Sequence, residues 1–493
     1  MIIFYNPQSS GSRKPILPLS LLAVGAVLEG QHDYCIVDGN LEPDPLARLD
    51  ELVRADPAAR PLLALTVMPG PQLRQAIPLC RELKRRHPHL RLVWGGYFPT
   101  QHWEVCLRDG LVDFVVRGHG EHVFQQLLDH LRTGLPLPAD IPGLAYRAPD
   151  GTPASNPLAP LPHPARLPDF NFDRVPVERY VRRTYLGSRT LGYHSSYGCP
   201  FFCNFCAVVN LVNGKWLPQT ADQVVRALEQ YARRWGINAV EFYDNNFFVH
   251  EARTAEVAER IRPLGLGWWG EARIDTLLKY SERSWGLMRA AGLKMMFMGA
   301  ESGSMETLKR MDKGGTMSPD KTLAMAAKMK GYGIVPEFSF VLGCPPDPEA
   351  DVRQTLEFVR QVKRVNPASE IVLYNYTPVP LAGDLYDTAQ AQGFRFPETL
   401  DEWVSEDWLD FAQRHSAHMP WLPDRVRRRI RNFERVLNAY YPTSTDMRLT
   451  GLRRQVLRVF SGWRYWSRIY DFPLELSALQ RVLHYQRPET SGF

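Results

Sequence analysis

Short apolar runs alternate with amphipathic helical segments along most of this chain, and this alternation restricts its fold more than any other feature. In residues 1–135, strand-like runs recur at 2–5, 34–38, 62–67, 90–94 and 112–116. In residues 185–395 a strand-then-helix unit repeats, with strands predicted at 190–197, 239–243, 266–273, 294–299, 335–342 and 370–377. Because parallel strands need long crossovers, usually helices, the pattern predicts an α/β protein with two parallel sheets. We expect a doubly wound, Rossmann-like sheet first and a partial (β/α)6 barrel of the TIM type second.

A proline-rich segment separates these two regions. Eleven of the 40 prolines lie between Pro136 and Pro176. Proline fixes φ and lacks a backbone donor, so the segment is predicted to cross a surface rather than contribute to a core. The chain thus divides into an N-terminal domain (1–135), a linker (136–184), a barrel (185–395) and a helical C-terminal region (396–493).

The formal net charge of +6 is concentrated near the C-terminus. Residues 425–493 contain 14 arginines and five acidic residues, a balance of +9, so the remainder is slightly acidic. This argues against nucleic-acid binding by the chain as a whole. Residues 452–470 interleave arginines with aromatic residues at helical spacing. That pattern fits an interfacial helix on anionic lipid, a helix packed on the barrel with exposed arginines, or stacking on RNA bases.

Three of the seven cysteines, Cys199, Cys203 and Cys206, lie within eight residues in a C-x3-C-x2-C pattern. Three thiolates suit a thiophilic metal centre, and iron–sulfur clusters are held by such ligands. No fourth cysteine or histidine follows nearby, so a four-iron cluster here would keep one iron open. A structural zinc site is the alternative, but such sites usually pair two Cys-x2–4-Cys knuckles, and the sequence has no second knuckle.

The other cysteines favour a reducing compartment. Cys35, Cys80, Cys106 and Cys344 are scattered and form no disulfide pattern. The N-terminus does not resemble a signal peptide, and no run of 18 apolar residues predicts a transmembrane helix. We expect a cytoplasmic protein, peripheral at the inner face of the membrane if the basic C-terminal helices bind lipid.

The spacing of the three clustered cysteines, with aromatic Phe205 before the last one, resembles the motif of radical S-adenosylmethionine (SAM) enzymes. The resemblance implies a [4Fe–4S] cluster whose open iron binds SAM near Phe205. It also implies SAM contacts at the carboxyl ends of barrel strands, where such barrels carry their active sites. These contacts are Asp244 to the ammonium group, Arg273 to the carboxylate, and Glu301 with Ser302 to the ribose and methionyl groups. Taken singly, Asp244 could cap a helix, Arg273 could pair on the surface, and Glu301 could be a solvated turn residue.

Three loops after predicted N-terminal strands, at 66–70, 95–100 and 118–121, are rich in glycine. Ligands of doubly wound sheets bind at this edge, and none of the loops is a G-x-G-x-x-G fingerprint. Their order and spacing resemble the cobalamin-binding domain found upstream of many radical SAM enzymes. The resemblance implies cobalamin contacts at Thr66, Met68, Gly70, Gly95, Gly96, Tyr97, Gly118, Gly120 and Glu121. Residues 38–42 lack the histidine that many cobalamin proteins place below cobalt, so cobalamin without a protein histidine ligand is expected. A Rossmann-like scaffold without cobalamin is the alternative.

The order of the regions resembles the group that includes the anaerobic magnesium-protoporphyrin ester cyclase and many carbon and phosphorus methylases. This implies reductive cleavage of SAM to a 5′-deoxyadenosyl radical, hydrogen abstraction from an unactivated carbon, and methyl transfer from methylcobalamin. A radical oxidoreductase or cyclase on the same scaffold is an open alternative. A methylthiotransferase-like iron–sulfur protein is less favoured, because such proteins bring further N-terminal cluster cysteines and a C-terminal RNA-binding β-barrel.

The expected partners follow from the same resemblance and from the basic tail. The chemistry implies an electron donor such as flavodoxin or ferredoxin. The basic, aromatic tail favours a sizeable apolar small-molecule substrate, such as a lipid, isoprenoid or tetrapyrrole, reached from the membrane face, and no nucleic-acid partner is expected.

Overall fold

The computed structural model describes residues 1–9, 15–55, 61–311, 315–381, 383–412, 419–443, 445, 449, 451–483 and 485. The chain forms two compact units, each built from more than one segment. The first unit comprises Met1–Val181, Asn210–Pro218 and Arg395–His418. The second unit comprises Arg182–Val209, Gln219–Phe394 and Met419–Phe493.

The first unit contains a seven-stranded sheet. Its strands are β1 (Ile2–Asn6), β2 (Tyr34–Asp38), β3 (Leu62–Thr66), β4 (Arg91–Gly95), β5 (Phe114–Val116), β6 (Leu144–Arg147) and β7 (Pro153–Ser155). Its N-terminal helices are α1 (Leu19–Ala26), α2 (Pro45–Arg54), α3 (Pro71–Arg86), α4 (Tyr97–Gln101), α5 (Trp103–Arg108) and α6 (Glu121–Thr133). The strand order is β2-β1-β3-β4-β5-β6-β7, with the first five strands parallel and the last two antiparallel.

Both faces of this sheet are covered, which confirms the predicted doubly wound architecture. Along β1, Ile3 and Tyr5 enter one apolar cluster, whereas Ile2 and Phe4 enter another on the opposite face. This is the two-residue period of a strand buried on both sides. From β1, the chain adds β2 on one side and then β3, β4 and β5 on the other, so the strand order changes direction between β1 and β3. Ligands of such sheets bind outside the carboxyl ends of the strands at this switch point.

The expectation that the proline-rich segment stays out of a core is wrong for its first part. Strands β6 and β7 extend the sheet, and Ile141, Leu144 and Ala145 are fully buried. The prolines are compatible with this because Pro153 begins the edge strand β7, where a missing N–H costs little. Short 3-10 helices follow at Pro164–Arg166, Phe172–Arg174 and Val177–Arg179, after one at Pro138–Asp140.

The second unit repeats strand and helix around a six-stranded sheet. The elements from residue 190 to 394 are β8 (Thr190–Tyr193), β9 (Ser196–Gly198), α7 (Val208–Val212), β10 (Trp216–Pro218), α8 (Ala221–Trp235), β11 (Ala239–Phe242), α9 (Glu251–Ile261), β12 (Gly267–Ala272), α10 (Ile274–Leu277), α11 (Glu282–Ala290), β13 (Leu293–Glu301), α12 (Met305–Arg310), α13 (Pro319–Tyr332), β14 (Val335–Leu342), α14 (Pro348–Val365), β15 (Glu370–Asn375) and α15 (Asp384–Ala391). Of these, β10 and the end of α7 belong to the first unit. The sheet order is β15-β14-β13-β12-β11-β8, and all neighbours are parallel. The predicted partial (β/α)6 barrel is confirmed.

Alternate residues of the barrel strands face opposite sides. On the outer side, the ring of Tyr193 contacts Tyr231 of α8, and the ring of Phe340 contacts Phe358 of α14. On the inner side, Ala239, Trp269, Met295 and Val335 form an apolar cluster with Leu186. We call this second side the inner face of the barrel sheet.

The remaining helices are divided between the two units. They are α16 (Leu400–Trp403), α17 (Glu406–Ala412), α18 (Asp424–Tyr440), α19 (Gly451–Ser467) and α20 (Leu474–Leu483). Helices α16 and α17 belong to the first unit, and α18–α20 belong to the second. Helix α19 is held to the barrel by Arg360 of α14, which donates to the carbonyl of Tyr465 and to the hydroxyl of Tyr470. In the described part of the chain, no helix is long and apolar enough to cross a membrane.

Candidate active site

The cysteine motif forms a loop directly after β9. Gly198 begins it with φ +85°, a conformation that only glycine adopts without strain. The loop closes on itself because the Cys206 amide donates to the Cys203 carbonyl at 3.0 Å. Asn204 anchors it to α12, since its amide nitrogen donates to the Met311 carbonyl (3.2 Å) and its side chain to the Arg310 carbonyl (2.5 Å). Cys203 is buried, whereas Cys199, Phe205 and Cys206 are half-buried.

The three sulfurs lie close enough together to affect one another's ionisation. Burial, with smaller contributions from Cys203 and Cys199, raises the pKa of Cys206 to about 12. Burial also raises the pKa of Cys199, while a hydrogen bond from the Phe201 backbone opposes that rise. Within the described residues, no three His, Cys, Asp or Glu side chains converge on a single metal ion. An iron–sulfur cluster does not require such convergence, because its thiolates bind different iron atoms. The three thiols therefore fit a cluster held by cysteine.

Arg273, at the end of β12, lies against the cysteine loop. Its guanidinium donates to both carboxylate oxygens of Asp275 (3.0 and 2.9 Å) and to the sulfur of Cys203 at 3.4 Å. It also stacks over Phe201, with its central carbon 3.8 Å from the ring centroid. Although burial alone would lower the pKa of Arg273, Asp275 and the neighbouring cysteines raise it. A permanent cation thus stands beside one thiol of the motif, which favours the thiolate form that metals bind.

Asp244 follows β11 and is fully buried. Its oxygens accept from the Ser195 amide (3.2 and 3.1 Å), from the Ser195 hydroxyl (3.0 Å) and from the Ser196 hydroxyl. The carboxylate therefore joins the end of β11 to the chain that leads into the cysteine loop. The serines, which sequence reasoning did not single out, occupy much of its hydrogen-bonding capacity.

Glu301 ends β13 with φ +63°, in the left-handed region that residues other than glycine rarely adopt. The pairing of β13 with β14 shifts register between Gly299 and Glu301, so a bulge turns the chain here. Glu301 is buried, and its charge contributes to raising the pKa of Cys206. The structure thus brings Glu301 near the cysteine loop.

Ser302 lies beside Glu301 but is committed to a protein network. Its hydroxyl donates to Asp351 at 3.1 Å and shares a hydrogen bond with Thr355 at 3.1 Å. Asp351 also accepts from the amides of Gly343 (2.9 Å) and Cys344 (3.2 Å), so it ties the ends of β13 and β14 together. Asp351 was missed in the sequence, because it belongs to no recognisable motif.

In the first unit, the three glycine-rich loops meet at one edge of the sheet. The Val67 amide donates to the Gly95 carbonyl at 2.9 Å. The Thr100 hydroxyl donates to the Gly96 carbonyl at 2.7 Å and accepts from the Gly118 amide at 3.0 Å. A Cβ on Gly96, whose φ is +93°, would lie 2.8 Å from Oγ1 of Thr66, so only glycine allows this approach.

The other residues proposed to contact cobalamin lie on the same loops. Met68 is 38% exposed, Gly70 precedes α3, Tyr97 begins α4, and Gly120 and buried Glu121 form the start of α6. The edge lies at the carboxyl ends of the parallel strands β3, β4 and β5, where backbone without side chains can approach a large planar ligand.

A buried polar network supports these loops from below. The Gln72 side chain accepts from the Met68 amide (2.8 Å) and donates to the Asn6 side chain (3.1 Å) and the Pro7 carbonyl (2.9 Å). Asn6 donates to Asp38 (3.1 Å), which also accepts from the hydroxyl of Tyr180 (2.8 Å). The loop after β2, which lacks a histidine, is therefore filled by an Asp–Asn–Tyr cluster.

Comparison with known proteins agrees with both halves of this description. Residues 193–359 match the Radical SAM superfamily, and residues 12–128 match the B12 binding domain. A methyltransferase of Pyrococcus horikoshii that is itself uncharacterised is 26% identical over 350 residues, 70% of this chain and 73% of the relative. The anaerobic magnesium-protoporphyrin IX monomethyl ester cyclase of Synechocystis is 27% identical over 332 residues, 65% of this chain and 64% of the relative. The radical SAM methyltransferase TsrM from Kitasatospora setae, solved with cobalamin and a [4Fe–4S] cluster, has a TM-score of 0.65 at 16% identity and covers 98% of both chains.

Residues 193–359 therefore form a radical SAM domain, and residues 12–128 form a B12-binding domain that precedes it in the chain. The protein is an enzyme, and the predicted cofactors SAM, a [4Fe–4S] cluster and cobalamin are confirmed at the level of these two domains. The residues that hold each cofactor stay predictions, as do the boundaries of the functional domains.

Proposed function

We propose that this protein is a cobalamin-dependent radical SAM methyltransferase that methylates an unactivated carbon of a small molecule. The proposal rests on two features that occur in the same chain. One is a cysteine loop at the carboxyl edge of a partial barrel, and the other is a glycine-lined edge of the sheet in a B12-binding domain. The Pyrococcus relative, named as a methyltransferase, supports methyl transfer over the cyclase reaction named for the Synechocystis relative.

In this proposal Cys199, Cys203 and Cys206 hold the cluster, and Arg273 supports the thiolate of Cys203 from 3.4 Å. When bound, the cofactors supply one-electron cleavage of SAM and a transferable methyl group. The protein keeps its own groups fixed: Asp244 holds Ser195 and Ser196, and Asp351 holds the ends of β13 and β14. Such pre-organisation keeps reacting groups in place. Phe205, Asp244, Arg273, Glu301 and Ser302 stay our candidates for the SAM site.

On the B12-binding side, we assign the cobalamin edge to the loops after β3, β4 and β5. Exposed Met68, on the loop after β3, is the candidate to face the lower side of the corrin. An electron donor such as flavodoxin or ferredoxin would reduce the cluster.

The test is transfer of methyl label. The anaerobically reconstituted full chain, with a reductant, is incubated with methyl-labelled SAM and a small-molecule extract, and products are analysed by mass spectrometry. We expect 5′-deoxyadenosine together with a labelled small molecule, and neither with the Cys199→Ala, Cys203→Ala, Cys206→Ala triple variant. Formation of 5′-deoxyadenosine with a new but unlabelled product would replace this proposal by a radical oxidoreductase or cyclase. Cleavage of SAM by the triple variant would overturn the cluster assignment.

The exposed side of helix α19 supports peripheral contact with a membrane. Helix α19 has two apolar sides: one is buried at Leu457 and Tyr465, and the other faces solvent. The exposed side chains recur at helical spacing and are between 53 and 75% exposed: Leu452, Val459, Trp463 and Trp466. An apolar stripe of this kind usually marks an interaction site.

The charge of this helix favours an anionic lipid surface as the partner. Helix α19 contains no acidic residue and exposes Arg453 and Arg458, and α18 exposes Arg428, Arg429 and Arg431. Each basic residue near an anionic membrane contributes about 1 kcal/mol, and tryptophan rings lie at the headgroup level. We propose that the stripe rests on the inner face of the membrane, which would bring a lipophilic substrate to the enzyme.

Liposome co-sedimentation tests this contact. Binding should require phosphatidylglycerol, weaken with salt and fall several-fold in a Val459→Ser, Trp463→Ser variant. The matched control is Leu137→Ser, because Leu137 is 53% exposed but lies in the first unit. Equal binding to neutral phosphatidylcholine vesicles, or binding unchanged in the double variant, would contradict the proposal.

A further inference from the structure

An arc of aromatic rings crosses the inner face of the barrel sheet. The rings of His194 and Tyr243 are 6.4 Å apart, those of Tyr243 and Trp269 are 6.3 Å apart, and those of Trp269 and Phe297 are 6.5 Å apart. These residues come from four neighbouring strands or the turns that end them, β8, β11, β12 and β13. Trp269 is buried at the base, whereas the other three are half-buried, so the arc is partly exposed to solvent.

A glycine keeps room for this arc. Gly192 of β8 lies opposite Glu241 of β11, on the inner face. A Cβ added to Gly192 would overlap the Tyr243 ring, which therefore lies flat against the backbone of β8. The inner face thus offers flat apolar walls, which stack well on another ring.

Two carboxyl groups lie on the same face, and neither has a cationic partner among the residues that the structure describes. Strand register places Glu271 opposite Phe297, and Phe297 opposite Glu337. Glu337 is 1% exposed; one oxygen accepts from the indole N–H of Trp269 at 3.3 Å, and the other has no hydrogen-bond partner in the described structure. Glu271 is half-buried.

Burial and neighbouring negative charges raise the pKa values of both carboxyl groups. Burial, with the charge of Asp244, raises the pKa of Glu271 to about 8. Burial also raises the pKa of Glu337, and the charges acting on it are those of Glu370, Glu271 and Glu241, all negative. The nearby cation Arg182 is engaged by Glu241 and the Tyr243 hydroxyl. Burying a carboxyl oxygen without a hydrogen-bond donor costs free energy. A ligand whose N–H groups donate to the unpaired oxygen of Glu337 would therefore bind more tightly than one without them.

We propose that the inner face binds the substrate as a largely apolar, ring-bearing molecule with one basic nitrogen, the ring against Tyr243 and Phe297 and the nitrogen donating to Glu271 and Glu337. The assignment rests on the proposed function, since it treats the inner face, below the cysteine loop, as the substrate site. It refines the expectation of an apolar substrate, because the aromatic walls suit an apolar body whereas the carboxyl pair requires a donor.

The experiment measures binding of three small probes to the reconstituted holoenzyme by calorimetry. Phenethylamine has a ring and an ammonium group, hydrocinnamate has a ring and a carboxylate, and hexylamine has an ammonium group without a ring. We expect phenethylamine to bind about tenfold more tightly than either of the others, because only it satisfies both features.

Variants assign the two features. Glu271→Gln should weaken phenethylamine binding about tenfold and leave hydrocinnamate unchanged. Phe297→Leu should weaken the two ring-bearing probes and leave hexylamine unchanged. Glu259→Gln, on the exposed side of α9, is the matched control and should change nothing.

Equal affinity for the three probes, or phenethylamine binding that is unchanged in Glu271→Gln, would overturn the inference. Reductive cleavage of SAM is measured on the same preparation. If SAM is cleaved but the probes are not distinguished, only the assignment of the substrate class fails. If SAM is not cleaved, the proposed function fails, and probe selectivity then describes a binding site without that chemistry.

Discussion

Arg273 links the cysteine loop to the carboxyl edge of the barrel. Its planar guanidinium contacts Asp275 through two N–H groups, Cys203 through a third, and Phe201 through its face. A lysine has the same charge but cannot make these contacts together, because its ammonium is a single point on a flexible stem. The planar fork, rather than the charge alone, is therefore the property that the site uses.

Replacing Arg273 by Lys should lower both the iron bound after anaerobic reconstitution and the rate of SAM cleavage. Hydrogen bonds to charged groups contribute about 1.5–3 kcal/mol, so we expect about a tenfold or larger loss. Iron is determined colorimetrically and cleavage by chromatography of 5′-deoxyadenosine. Arg262→Lys, an exposed arginine after α9, should match the unmodified protein. Full iron content and full activity in Arg273→Lys would contradict the role given to the guanidinium.

The left-handed backbone conformation of Glu301 leads to a prediction about stability. At φ +63°, a residue with a Cβ costs about 1–2 kcal/mol more than glycine. Glu301→Gly should therefore be more stable than Glu301→Ala, although both lack the carboxylate and although alanine is the better residue in ordinary elements. We expect the Gly variant to melt about 2–4 °C higher by circular dichroism. An Ala variant that melts at the same temperature or higher would show that the position carries no backbone strain.

Residue types at the ends of the strands could be predicted from the sequence, but their orientation could not. Glu301 and Arg273 lie near the cysteine loop, whereas Asp244 and Ser302 form hydrogen bonds with neighbouring protein residues. The difference is decided by contacts between residues far apart in the chain, such as Ser302 with Asp351, which no local pattern reports. Their roles in binding SAM stay predictions.

At the scale of elements, the loop between β3 and α3 depends on the first turn of α3. Gln72 is 6% exposed and holds Met68, Asn6 and Pro7 through its amide. The loop is thus positioned by its own helix rather than by its glycines alone.

Gln72→Leu should reduce cobalamin uptake, because it leaves the Met68 N–H and the Pro7 carbonyl without partners. Each such loss costs about 1–3 kcal/mol. Corrinoid bound per chain is measured by absorbance after desalting. Arg74→Ala, an exposed side chain two residues further along α3, should bind as much as the unmodified protein. Undiminished uptake by Gln72→Leu would argue against this loop as part of the cobalamin edge.

Element type was predictable wherever the apolar pattern was strong. All six barrel strands were predicted, and β14 has the predicted bounds of 335–342. Strands β6 and β7 were missed because proline was taken as a signal against strand, whereas an edge strand tolerates it. The buried and exposed sides of α19 could not be separated either, because both are apolar.

At the scale of the molecule, the chain returns to its first unit after completing the second sheet. Trp403 of α16 is 3% exposed and packs in the core of the first unit, where its ring lies 5.0 Å from Phe98 and 4.6 Å from His102. Residues 395–412 are thus a structural part of the N-terminal unit, although 204 residues of the second unit intervene.

His102 gives this packing a pH dependence. Burial lowers its pKa from 6.5 to about 3. Below about pH 6.5 the unfolded chain binds a proton that the folded protein does not, so the free energy of unfolding falls as the pH drops toward 3. The fall is at most about 1.4 kcal/mol per pH unit.

Urea unfolding of the cofactor-free chain at neutral pH and at about pH 5 measures this slope. His102→Phe should lose less stability between the two conditions, because phenylalanine does not titrate. His89→Phe, at an exposed histidine outside this cluster, should keep the slope of the unmodified protein. An unchanged slope in His102→Phe would contradict the assignment.

The return of the chain to its first unit sets the order in which the protein can mature on the ribosome. Trp403 is made more than 200 residues after Val181, which closes the N-terminal segment of the same unit. At about 5–20 residues per second, that interval lasts roughly 10–45 s. During it, the surface around Phe98 that Trp403 later covers stays open. We therefore expect cobalamin to be bound only after synthesis of the chain is nearly complete.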